Sequence, residues 1–126
     1  RKRYNISEKG RAMAKRSRAK RWLVPEKRAA HYRSVAKRRL LRQTFVNYVK
    51  LSEGCTDCGY KKFAQALQFD HIPGRGKKQK SLGTMAASSW PWPVILEEIA
   101  KCEVVCANCH FIRTDRRKQA LIDALR

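Results

Sequence analysis

Four cysteines in two identically spaced pairs, Cys55-x-x-Cys58 and Cys106-x-x-Cys109, restrict the fold of this chain more than any other feature. Two residues between thiols let both sulfurs of a pair reach one tetrahedral ion, and Gly59 suits the turn that aims backbone amides at them. With 47 residues between Cys58 and Cys106, the pairs must close on each other across the intervening chain. The spacing predicts one structural Zn²⁺ site, because four thiolates fill the coordination sphere and leave no position for water. The alternative is two buried thiols beside a chance pair. Cys102, the fifth cysteine, fits a small buried apolar role better than a ligand role. Reduced thiols of this kind point to a cytoplasmic setting rather than to a disulfide framework.

The stretch between the pairs has a strand texture at "ALQFDH", a loop at "IPGRGKKQKSLG", a helix over about Val94–Lys101 and a second strand at "EVVC". "ANCHFIRTDRRKQALIDAL" reads as a terminal helix, with Ile112, Leu121, Ile122 and Leu125 as core contacts. Upstream, Ser7-Glu8 and Pro25-Glu26 each carry helix-start signals. The first helix is expected over Ser7–Trp22 and the second from Pro25 to about Val49, packing through Leu41, Phe45 and Val49. Two regions follow: residues 1–50 as a basic helical arm, and 51–126 as a small α+β domain.

Charge separates the regions further. Residues 1–50 hold eighteen Lys and Arg against two acids, within a chain of 126 residues and net charge +20. Such an excess of cations selects a polyanionic partner, and DNA is the expected one. Apolar residues are sparse in 1–33, so the order of this part is expected to depend on DNA. No apolar run reaches the length needed to cross a bilayer, and no secretory signal is evident.

Three further residues stand out: Asp70-His71 at the end of the first predicted strand, and His110 directly after the last cysteine. "FDHIPG" together with "VCANCHFIRT" resembles the HNH endonuclease family, of the zinc-containing type found in phage and mobile-element nucleases. The resemblance covers about Leu51–Arg117. It implies a ββα-metal core held by the four-cysteine zinc. It also implies Asp70 and His110 as ligands of one catalytic divalent cation (Mg²⁺, Mn²⁺ or another transition metal), and His71 as the general base. Products would carry 5′-phosphate and 3′-hydroxyl ends. The family's middle Asn, which orients base and loop, falls in register on Lys101 here; Asn108 is the nearest Asn and the substitute candidate. Arg113 is the candidate phosphate clamp, and Arg75, Lys77, Lys78 and Lys80 are candidates to line the DNA path. Nicking needs one active site. Double-strand cutting needs a homodimer or two sequential nicks, and a phage packaging protein is a second candidate partner. The competing class is a non-catalytic, zinc-stabilised protein that binds nucleic acid. The Trp90–Pro93 segment has no assigned role.

Overall fold

A computed structural model describes residues 7–126; the start of the expected arm, residues 1–6, lies outside the described residues. The chain divides into two compact units at Arg38/Arg39. In the first, Ser7 caps helix α1 (Glu8–Trp22) by accepting from the Gly10 amide at 3.2 Å. No residue of α1 is buried. Helix α2 (Pro25–Glu53) begins at its proline, and Trp22 meets His31 and Tyr32 edge-on, each at 5.6 Å.

The sequence texture changes at residue 50, but the packing changes earlier, inside α2. The reason is the helix face that is buried: Val46 is enclosed and Arg42 nearly so, with Phe45 and Val49 half-buried, whereas Leu41 is exposed. Arg42 lays its guanidinium over Trp92, which also meets Phe45 edge-on at 5.4 Å. The Trp-Pro-Trp-Pro segment is thus an anchor for α2. Gly54 ends the helix at φ +68°, a left-handed conformation that other residues adopt at a cost.

The second unit is α+β. Strands β1 (Leu67–His71) and β2 (Cys102–Cys106) pair antiparallel, with Leu67 opposite Cys106, Asp70 opposite Glu103 and His71 opposite Cys102. Between them run α3 (Leu82–Ala87), capped by Ser81, and α4 (Trp92–Ala100), with Pro91 and Pro93 at its start. Helix α3 was not anticipated; its six residues fall where Ser, Gly and Thr suggest a loop, and burial of Leu82 and Met85 sustains it. Helix α5 (Ala107–Ala124) follows β2 without a linker.

Two small clusters form the core. Leu67, Val104 and Val105 enclose Cys55, and Leu82, Met85 and Ile95 enclose the other side; Phe69 packs against both. Sheet and core are both small, and a two-stranded sheet is marginal alone. The expected core contacts of α5 are corrected: Ile112, Leu121, Ile122 and Leu125 are 48–88 % exposed. The less exposed stripe of α5 is instead Cys109, His110, Arg113 and Arg117, so this helix turns its chemistry toward the sheet.

Candidate metal and catalytic centres

Cys55, Cys58, Cys106 and Cys109 place one sulfur each within 4.8 Å of all the others, close enough to bind one metal ion. The local backbone explains how. Gly59 at φ +75° donates its amide to the Cys55 carbonyl at 2.8 Å, and Cys55 donates to Tyr60, which closes the first turn. Thr56 ties that turn to β2 through its amide and its hydroxyl, both bonded to the Val104 carbonyl. Cys106 ends β2 and caps α5, its sulfur accepting from the Cys109 amide at 3.4 Å. Cys58 and Cys106 sulfurs are 3.7 Å apart. Two thiolates on one tetrahedral ion, each ~2.3 Å from it, stand about 3.8 Å apart. Burial raises the Cys55 pKa, but amides of Cys106, Cys58 and Asp57 outweigh it and bring the thiol down to about 6. The Cys109 thiol is pushed up, first by its bond to the Cys106 sulfur and then by desolvation. Four such groups need a cation to ionise together.

Cys102 stands apart. Burial, then the charges of Glu98 and Asp70, push its pKa up to about 11, and its thiol donates to the Glu98 carbonyl.

A second centre lies where α5 crosses the sheet. Strand alternation puts Gln68 and Asp70 on one face, with Glu103 beside Asp70. His110 Nδ1 is 2.6 Å from Gln68 Oε1, and its Nε2 faces Asp70 Oδ1 at 3.5 Å. An amide oxygen can only accept, so Nδ1 carries a proton, and the ring is held with Nε2 facing the carboxylate. Asp70 is 2 % exposed. Arg117 grips it with two nitrogens, at 2.8 and 2.7 Å, and Arg113 adds a third bond at 3.0 Å. Desolvation alone would raise the Asp70 pKa; the arginine bonds outweigh it and hold the carboxyl below its ordinary range.

The structure therefore joins Asp70 and His110. It does not bring Asn108 to them: that residue is exposed in the first turn of α5, on a shallow depression shared with Cys58, Tyr60 and Cys106. Arg113 is also placed differently from a free phosphate clamp. Its guanidinium is committed to Asp57 at 2.6 and 2.7 Å, Glu103 at 2.9 Å and Asp70. Arg117, 40 % exposed, is the arginine that can reach out.

His71 turns the other way, onto α4. Its Nε2 is 2.6 Å from Oε1 of Glu98, which is wholly buried. Glu98 also accepts from the Gln79 amide at 3.1 Å and from Lys101 Nζ at 3.0 Å. Burial would raise the Glu98 pKa, but Lys101, His71 and that amide together lower it, so the carboxylate is ionised. Gln68, Glu98, Glu103 and Arg117 were absent from the sequence-derived set. The strand period placed Gln68 two residues before Asp70; nothing local marked Glu98 or Arg117.

The loop after β1 is exposed. Arg75 reaches Glu103 at 3.2 Å, and Lys77 offers its carbonyl to Lys101. Lys77 and Lys78 border a concavity of about 780 Å³ with Arg75, Glu97 and Lys101, and Lys80 lies exposed just beyond. In the first unit, Arg18, Arg21, Lys27 and Arg28 surround Trp22 and His31 in a hollow of about 420 Å³. No helix among the described residues is long and apolar enough to cross a membrane. No protein family, curated protein or solved structure matches the chain.

Proposed function

We propose that this chain is a metal-dependent DNA endonuclease of HNH type, with a structural Zn²⁺ on Cys55, Cys58, Cys106 and Cys109. The observation that carries it is the facing of His110 Nε2 and Asp70 Oδ1 at 3.5 Å, with Gln68 fixing the imidazole. One carboxylate oxygen and one imidazole nitrogen form a mixed donor set that fits Mg²⁺, Mn²⁺ or a later divalent ion. A cation there neutralises charge building on the phosphate and the departing oxygen. For Asp70 to serve it, Arg117 releases Oδ1 and becomes free to meet a phosphate.

His71 is the general base: imidazole titrates near neutral pH and removes a proton from water. The water oxygen's electron pair forms the new P–O bond, and the P–O3′ bond breaks. The 3′ oxygen takes a proton from solvent, and the phosphate remains on the 5′ end. Base and cation flank an in-line displacement, so they must act from opposite sides of the phosphorus. The loop cations Arg75, Lys77, Lys78 and Lys80, and the basic arm, supply phosphate contacts.

The rival, a non-catalytic zinc-stabilised nucleic-acid-binding protein, draws support from the Arg113–Asp70–Arg117 ion pairs, which account for Asp70 without a cation. A supercoiled plasmid separates the two. The nuclease converts it to open circles with Mg²⁺ or Mn²⁺ and stops in EDTA, and His71→Ala and His110→Ala abolish conversion. Intact plasmid under every divalent ion tried establishes the rival.

A further inference from the structure

Glu98 sits where no solvent reaches it, on a helix that has no other evident task in the proposed chemistry. An ionised carboxylate is costly to bury unless it is paired and hydrogen-bonded. Here it accepts from three partners in three places: the His71 ring, the Gln79 backbone amide and Lys101 Nζ. Lys101 is itself steadied by the Lys77 carbonyl at 3.1 Å. Glu98 is therefore held from two sides and cannot follow the imidazole; the imidazole must conform to it. The His71 side chain is 18 % exposed, against none for Glu98.

We propose that Glu98 is the positioning residue for His71: it accepts Nε2–H, fixes the ring, and leaves Nδ1 as the atom that takes the proton from water. The assignment rests on His71 being the general base. It also gives the long insert between β1 and β2 a purpose. Helix α4 carries Glu98 to the base, and Lys101, in the register of the family's middle Asn, locks it there. A buried carboxylate that fixes one tautomer settles in advance which ring nitrogen accepts the proton.

Two measurements test this on the zinc-loaded full chain. The first is ¹⁵N-histidine NMR at a pH where the rings are neutral, with His71→Gln identifying its resonances among three histidines. Wild type shows His71 as the Nε2–H tautomer, and Glu98→Ala shows a mixture. The second is kinetics on a short duplex. Glu98→Ala lowers kcat about 10²-fold, the low end of what a general base supplies, while KM stays within about twofold. The double variant Glu98→Gln/Lys101→Met retains an acceptor oxygen for His71 without setting an amide against an ammonium. It recovers the single tautomer and most of the rate.

A wild-type His71 in the Nδ1–H form overturns the proposal, whatever the variants do. So does a Glu98→Ala protein that keeps full kcat, since the contact is then only a structural tie between β1 and α4. An inactive wild type with the expected tautomer refutes the nuclease assignment instead. The two failures are thus distinguishable.

Discussion

Removing the proposed zinc from the four-cysteine site should unfold the second unit, and the structure says why. Its sheet is two strands of five residues, and its core is two clusters of four and three buried side chains. Cys55 belongs to one of those clusters, 3 % exposed among Leu67, Val104 and Val105. The other three cysteines set the end of β2, the start of α5 and the first turn against one another. A structural zinc in small domains supplies about 10–16 kcal/mol at neutral pH. A whole domain is stable by only about 5–15 kcal/mol. Loss of the ion therefore takes most or all of the net stability. The assay is zinc-release titration with a strong chelator, followed by amide hydrogen exchange. One equivalent of zinc is expected per chain. Protection of the Gln68, Asp70, Glu103 and Val105 amides, which pair the two strands, should vanish with its removal, and readdition should restore it. A metal-free protein that unfolds cooperatively with those amides still protected would refute the reasoning, because the sulfurs would then be neighbours without being the staple.

Three further outcomes follow from the second centre and the arm. Arg117→Ala removes a cation bonded to both Asp70 oxygens, so Mn²⁺ should bind several-fold tighter; unchanged affinity means that Arg117 and the ion do not compete. Asp70→Asn should cost about 2–3 kcal/mol at pH 7, less than a fully buried pair because Arg117 is partly exposed. Since the Asp70 pKa is held below 3.8, its contribution is complete above that value and is lost as pH falls through the folded-state value. The gap between wild type and variant in urea melts should close below about pH 4, and a gap that widens there reverses the sign of the argument. Deleting residues 1–33 should flatten the dependence of log Kd on log salt, as each phosphate contact releases about one counterion; an unchanged slope takes the DNA grip away from the arm.

The sequence was most legible where a short-range rule governs. The CxxC spacing located all four clustered cysteines, Ser7 and Pro25 marked two helix starts, and "ALQFDH" and "EVVC" marked both strands. It was least legible on α5. Their apolar character selected Ile112, Leu121, Ile122 and Leu125, but the stripe toward the sheet is cysteine, histidine and arginine, the arginines satisfied by acids far away in sequence. Arg113 depends on Asp57, 56 residues back, and His71 on Glu98, 27 residues on; no periodicity reports such pairs. The Trp90–Pro93 segment carried no assigned role. Trp90 packs against the Leu82–Met85–Ile95 cluster, and Trp92 meets Phe45 and Arg42.

The most direct test of the account is whether one Mn²⁺ ion sits between Asp70 and His110. Crystals grown with Mn²⁺ should give a single anomalous peak within bonding distance of an Asp70 oxygen and His110 Nε2, with Arg117 drawn off Oδ1. A second, zinc-edge peak should lie among the four cysteines. Manganese absent from that position, with Arg117 still gripping both Asp70 oxygens, would contradict the account and leave Asp70 as part of an ion-pair network alone.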